Sequence, residues 1–203
     1  MSAPDRTQAQ VVARLKRLQM REMPEGPQPL EADCDLCGTS MPEDHRHLLH
    51  LDERRIVCVC ESCWALRSGD AEYRPTGNRK LLLDEFTLPE DLWARFRIPI
   101  GLAFFLRSGN GVVALYPSPA GPVESELDLS AWEELVALNA ELQTLEPEAE
   151  ALVVHAAGKP PKYAIVPTDE AYRLAGLIKA AWEGISGGSG PEQAVERFFE
   201  ELR

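Results

Sequence analysis

The sequence predicts an α+β protein that carries a small metal-binding module ahead of its main domain. After residue 98, apolar runs joined by turn residues alternate with segments of helical periodicity. All five cysteines lie within residues 34–63, and the 44% hydrophobic content is enough for a buried core. The order strand, strand, helix occurs twice and is followed by one more helix. We therefore expect an antiparallel sheet with helices on one face.

Four segments are expected along the 203 residues. They are an N-terminal helix and proline-rich linker (1–30), a four-cysteine metal-binding module (31–70), a connecting segment (71–97) and an α+β domain (98–203). The first helix is indicated by apolar residues at helical spacing, and three prolines end it. These residues are Val11, Val12, Leu15, Leu18, Pro24, Pro27 and Pro29.

Two hairpins and their helices make up the predicted α+β domain. The first hairpin pairs 102–106 with 112–116 through an Asn-Gly turn, and the second pairs 151–156 with 162–166. The stretch PSPAGPVES between them is expected to be a loop.

Helix starts are predicted from capping residues and prolines. A short helix follows Pro89, Ser130 and Glu133 form a capping box, Thr168 or Asp169 caps the next helix, and Pro191 starts the last one. An offset of 50 residues also aligns the two halves, for example Leu102 with Leu152, which suggests a degenerate internal duplication.

The cysteine spacing predicts one zinc site. Cys34-x2-Cys37 and Cys60-x2-Cys63 are separated by 22 residues, and two such pairs supply four thiolates to one tetrahedral ion. Gly38 follows the first pair, as a tight metal knuckle requires, whereas the second pair runs into a helix-like segment. A knuckle, a hairpin and two ligands at the start of a helix describe a treble-clef zinc finger.

Rubredoxin-like iron is the alternative occupant of the same four cysteines. A rubredoxin has two similar glycine-bearing knuckles, but Trp64 stands where the second glycine would be. The sequence therefore favours redox-inert zinc over electron-carrying iron.

Three further residues lie near the expected zinc ligands. Cys58 points to the same side of a strand as Cys60, so it is either a small buried thiol beside the site, a substitute ligand or a reactive thiol. His45 and His47 face the same way on a strand, which suits either a supporting role in the hairpin or direct metal ligation. His155, within an apolar run, is expected to be a core or edge histidine.

Charge and motif content exclude several classes of function. The net charge of −12, of which −10 lies in residues 111–203, argues against nucleic-acid binding. The longest apolar run has nine residues, too few to cross a membrane, and no secretory signal is visible, so a cytoplasmic location is expected. No P-loop, nucleophile elbow or other catalytic constellation is present, and we expect no enzyme.

Several stretches together resemble an uncharacterised bacterial protein family encoded beside genes for uptake NiFe-hydrogenases. They are CDLCG, PEDHRHLL, RRIVCVCESC, IPIGLAFFLRS, VVALYPSPAGPVES, VPTDEAYRL and RFFEELR, and the likeness runs from about residue 31 to the C-terminus. The resemblance implies an accessory role in hydrogenase assembly or electron supply, with a hydrogenase subunit or maturation factor as protein partner. It also implies that Cys34, Cys37, Cys60 and Cys63 are ligands, with Cys58 and the two histidines adjacent.

Overall fold

The computed structural model describes residues 32–109, 111–125, 127–183 and 188–203; the expected helix over 1–30 lies outside them. The strands are β1 (Ala32–Asp33), β2 (Ser40–Met41), β3 (Arg46–His50), β4 (Arg55–Val59), β5 (Tyr73–Pro75), β6 (Leu81–Leu82), β7 (Leu102–Ser108), β8 (Gly111–Ser118), β9 (Gly121–Ser125), β10 (Glu150–His155) and β11 (Lys162–Pro167). The helices are α1 (Glu61–Arg67), α2 (Glu90–Arg95), α3 (Leu129–Leu138), α4 (Thr168–Ala180) and α5 (Gly190–Glu201), with a 3₁₀ turn at Ala140–Thr144. The fold is α+β, as the sequence predicts.

The main domain is built on a six-stranded antiparallel sheet. Its strand order is β6-β11-β10-β7-β8-β9, so the two predicted hairpins pair with each other through β7 and β10. Both hairpins are confirmed, but the expected PSPAGPVES loop is wrong. That stretch turns back as β9, which pairs with β8, and the Ser118 hydroxyl donates to the carbonyl of Gly121 to close the turn.

Helices cover both faces of this sheet, which corrects the expectation that they lie on one face. Phe104 belongs to a core packed under α4 and α5, whereas its neighbour Phe105 belongs to a core packed under α2 and α3. The physical reason is the composition of the central strands. Residues 102–106 and all of β10 are buried at every position, and a sheet that is apolar on both faces needs two covering layers.

The 50-residue offset does not relate equivalent positions of the fold. Leu115 packs against α4 and α5, but Ile165, 50 residues later, packs on the opposite face. The two hairpins meet through the antiparallel strands β7 and β10, so a two-fold axis that relates them is perpendicular to the sheet. Such an axis would place equivalent residues on the same face. The hypothesis of a duplication at this offset is therefore wrong.

The expected caps of two helices are also corrected. The α3 helix is capped by Asp128, whose carboxylate accepts from the amides of Ser130 and Ala131, so the helix begins before the Ser130 box. The α4 helix has no side-chain cap in its first turn. The Thr168 hydroxyl instead donates to the carbonyl of Glu148, because the α4 start is packed against the chain entering β10.

The cysteine-rich module has its own small sheets beside the main domain. Strands β4-β3-β5 form one sheet and β1-β2 a ribbon, around a core of Met41, Leu48, Val57, Val59 and Tyr73. Segment 71–97 supplies β5 to the small sheet and β6 to the large one. The described helices include none with the length and apolar character needed to span a membrane.

Candidate metal centre

The first cysteine pair sits on a tight turn between β1 and β2. The amide of Gly38 donates to the carbonyl of Cys34 at 2.8 Å, and the amide of Cys34 donates to the carbonyl of Thr39 at 2.8 Å. Gly38 adopts a φ of +73°, a left-handed conformation that glycine adopts without steric cost. This turn has the glycine-bearing form expected from the sequence, and it directs Cys34 and Cys37 to one side.

The second pair lies at the start of α1. Strand β4 leads into Cys60, which is the N-cap of the helix, and its Sγ accepts a hydrogen bond from the amide of Cys63 at 3.5 Å. Helix N-termini carry partial positive charge and amides without intrahelical partners, and the Cys60 sulfur accepts from one of them. The helix predicted after the second pair is confirmed over Glu61–Arg67.

These two segments bring four sulfurs together. The Sγ atoms of Cys34, Cys37, Cys60 and Cys63 all lie within 4.8 Å of one another. The Sγ atoms of Cys37 and Cys60 are 3.7 Å apart, close to the ~3.8 Å edge of a tetrahedron with Zn–S bonds of about 2.3 Å. The amide of Cys60 also donates to Cys34 Sγ at 3.4 Å. The group can therefore hold a metal ion.

Hydrogen bonds order the ionisation of these thiols. The Thr39 hydroxyl and amide lower the pKa of Cys37 to about 6. Burial disfavours the Cys34 thiolate, but amides of Cys60, Leu36 and Cys37 outweigh it and lower its pKa. The hydrogen bond with Cys37, followed by burial, raises the pKa of Cys63 to about 12. Cys34 and Cys37 therefore ionise more readily than Cys63.

Cys58 belongs to a different cluster. It lies directly across from His47 in the β3–β4 register, and ligand atoms of His45, His47 and Cys58 all lie within 4.8 Å of one another. Its backbone meanwhile ties the knuckle to β4, because its amide donates to the Asp35 carboxylate at 2.7 Å and its carbonyl accepts from the Asp35 amide at 2.9 Å. Burial raises the pKa of its thiol, with the Asp35 carboxylate adding to the effect.

The histidine pair connects the module to the main domain. Nδ1 of His47 lies 2.8 Å from Oδ2 of Asp169 in the first turn of α4. The sequence indicates Asp169 only as a helix cap, and no local pattern pairs residues 122 positions apart. Arg46, between the histidines, stacks on Trp64 and forms an ion pair with Glu61, which fixes α1 against β3.

His155 is buried in the main domain, as expected for a core histidine. It is 7% exposed and lies beside Phe199, with 6.3 Å between the ring centroids. Within the described chain, its Nδ1 has no hydrogen-bond partner. Burial lowers the pKa of the imidazole, so His155 is neutral at pH 7.

Comparison with known proteins places the chain in a family. The family model DUF5947, a family of unknown function, matches residues 33–203, and the chain belongs to this family. Searches of curated proteins and of solved structures return no match. The match covers the cysteine module together with the main domain.

Proposed function

We propose that this chain is a zinc-binding accessory protein in which the four-cysteine group folds a treble-clef module and the protein acts by docking on another protein. The observation that carries the proposal is the convergence of a knuckle and a helix N-terminus on four sulfurs within 4.8 Å. The module is too small to stabilise a core alone, and binding of a metal contributes folding free energy to such modules.

The second cysteine pair supports zinc over iron. It lies at the N-terminus of α1 rather than on a second glycine-bearing knuckle. The elements therefore follow the order turn, hairpin, helix, which supports the proposed treble clef. Rubredoxin-like iron in the same cysteines is the competing occupant. Colour separates them: protein purified after growth with iron is red and bleaches on reduction if iron binds, and it is colourless if zinc binds.

Metal analysis of the purified full chain tests the zinc site. We expect Cys60→Ser/Cys63→Ser to lose at least the one equivalent of zinc held by the four cysteines, measured by elemental analysis against the wild type. Ser62→Ala, in the same helical turn, is the matched control and should keep that equivalent. Unchanged zinc in the double-serine variant would overturn the site.

The accessory role is supported by the sequence resemblance to hydrogenase-linked proteins. The partner that we propose is a hydrogenase subunit or maturation factor. The acidic C-terminal half of this chain would recognise either basic residues on that partner or its shape. The proposed location is the cytoplasm, where thiols stay reduced; all five cysteines are unpaired.

A pull-down tests the partner. Tagged protein expressed together with a nickel–iron hydrogenase operon should capture a subunit or maturation factor. The Cys60→Ser/Cys63→Ser variant should capture less, because its module is unfolded. Repeated recovery of none of the operon's products would overturn the hydrogenase role and leave the metal site standing.

A further inference from the structure

A second set of ligand-type side chains lies next to the four-cysteine group. His45 lies just before β3, His47 is the second residue of that strand, and Cys58 lies directly opposite His47 on β4. Alternate residues of a strand and their cross-strand partner share one face of a hairpin. One ligand atom from each residue therefore falls in the same small volume, with all three within 4.8 Å of one another.

The hydrogen bonds of both imidazoles leave Nε2 as the available ligand atom. Nδ1 of His45 lies 2.9 Å from the carbonyl of Pro42, which can only accept, so Nδ1 carries the proton. Nδ1 of His47 faces the Asp169 carboxylate in the same way. A histidine that binds metal through one nitrogen commonly donates from the other to a carbonyl or carboxylate.

Two buried atoms beside this cluster lack partners. Nε2 of His45 and Oδ1 of Asp169 are inaccessible to solvent, and neither has a hydrogen-bond partner among the described residues. A buried acceptor without a hydrogen-bond partner destabilises the folded state, so such atoms point to a bound ligand. A cation placed among the imidazoles and the thiolate would satisfy the nitrogen and offset the negative charge of Asp169.

We propose that His45, His47 and Cys58 bind a second divalent cation of the zinc class, with Asp169 as the positioning residue for His47. Two imidazoles and one thiolate suit zinc, whose bonds to nitrogen and sulfur of about 2.0–2.3 Å need ligand atoms some 3.3–3.8 Å apart. The three ligand atoms lie within 4.8 Å of one another, so their separations need to shorten by at most ~1–1.5 Å to reach that spacing. Binding releases the Cys58 thiol proton to solvent.

This second site differs in kind from the four-cysteine site. It has three protein ligands, which in zinc proteins is the arrangement that leaves a fourth position for water or another exchangeable ligand. A cavity of about 510 Å³ adjoins it, lined in part by His45, His47, Asp169, Asn78 and Lys80. That cavity gives the fourth ligand space and access from solvent.

Zinc stoichiometry of the full chain tests the proposal. Dialysed wild-type protein should hold two equivalents of zinc, and His45→Ala/Cys58→Ala should hold one. His50→Gln, on the same strand outside the cluster, is the matched control and should hold two. A wild type that retains its four-cysteine zinc and never binds a second equivalent would overturn the proposal, as would two equivalents in His45→Ala/Cys58→Ala.

Cobalt substitution and the positioning residue supply independent readouts. When one equivalent of Zn²⁺ fills the four cysteines of the wild type and Co²⁺ is then added, absorption from the second site should show one thiolate and two nitrogen ligands. Asp169→Asn should weaken zinc at the second site 10–100-fold, measured by chelator competition, with zinc at the four cysteines unchanged. Equal affinities in wild type and Asp169→Asn would remove Asp169 from the proposal, and a cobalt spectrum without thiolate bands would overturn the ligand role of Cys58.

Discussion

The guanidinium of Arg79 donates two hydrogen bonds to the carboxylate of Glu150, from Nε to Oε1 at 2.9 Å and from Nη2 to Oε2 at 2.6 Å. Arg79 also donates to the hydroxyl of Thr144 at 3.0 Å and to the backbone carbonyl of Thr144 at 3.1 Å. The Glu150 side chain is only 4% exposed, so the Arg79 guanidinium is the counterion beside a buried carboxylate. The pair fastens the segment before β6 to the start of β10.

Removal of that partner should destabilise the main domain. We expect Arg79→Met to lower the free energy of unfolding by about 2 kcal/mol, because a buried carboxylate loses its counterion. Arg79 is 35% exposed, which lets water compensate in part. Arg79→Lys keeps the positive charge but not the paired hydrogen bonds of the guanidinium, so it should lower the free energy of unfolding by less. Denaturant unfolding measures both, and a Met variant within 0.5 kcal/mol of wild type, roughly the effect of an ordinary surface change, would contradict the prediction.

Gly101 should not tolerate even a methyl group. A Cβ there would meet the Cβ of Ala157 and come within 2.9 Å of its amide nitrogen, and this backbone contact also holds the hydrogen bond from Ala157 to Gly101. We expect Gly101→Ala to cost about 1–3 kcal/mol through overpacking. Thermal unfolding measures the loss. Gly69→Ala, where a Cβ meets nothing within 4 Å, is the control that should change little.

Gly38 should control the affinity of the four-cysteine group for metal. No atom lies within 4 Å of a Cβ at this position, so alanine would suffer only from its φ of +73°. That conformation costs a non-glycine residue about 1–2 kcal/mol, which predicts roughly 5–30-fold weaker zinc binding for Gly38→Ala. Chelator competition measures the change. Asparagine tolerates a positive φ better than alanine, so the zinc affinity of Gly38→Asn should lie between those of the wild type and Gly38→Ala. A zinc affinity of Gly38→Ala equal to that of the wild type would show that the turn is not strained by alanine.

His155 should make stability fall below neutral pH. Burial disfavours its charged form, and Lys162 adds to this, while Glu196 and Glu192 only partly oppose it, so its folded pKa is lowered. The unfolded chain, with an ordinary pKa near ~6.5, then takes up the proton first as the pH drops. The stabilisation from neutral His155 is therefore present above about pH 6.5 and is lost as the pH falls through the folded pKa.

The wild type and His155→Asn separate this effect from other titrations. Their difference in free energy of unfolding should shrink between pH 7.5 and pH 5, because asparagine does not titrate. The remaining carboxylates and cysteines contribute equally to both proteins and cancel. Parallel pH profiles would show that His155 binds protons equally well in the folded and unfolded states.

Local patterns in the sequence predict much of this fold. Asn-Gly and the flanking apolar runs predict the β7–β8 hairpin, and Gly38 with its cysteines predicts the knuckle. Coverage of both sheet faces was also readable, because the uninterrupted apolar run at 102–106 lacks the alternation of a half-exposed strand. The one-face expectation gave that run too little weight.

Other features depend on contacts that no local pattern encodes. The pairing of His47 with Asp169 joins residues 122 positions apart, and it arises only when α4 packs against β3. Placement of Cys58 with the histidines rather than with the four cysteines depends on strand register, which sets His47 opposite Cys58. Cysteine spacing alone indicates a four-sulfur group and is silent about its neighbour.

The strand order also determines which strands lie at the edges of the large sheet, where a strand from another copy of the chain could pair. Its outer strands are β6, only two residues long, and β9, where Pro122 lacks an amide proton and Glu124 is an exposed charge paired with Arg54. Short, proline-bearing and charged borders are poor templates for strand addition. Although the interior of this domain is highly apolar, its edge strands therefore disfavour fibril-like polymerisation.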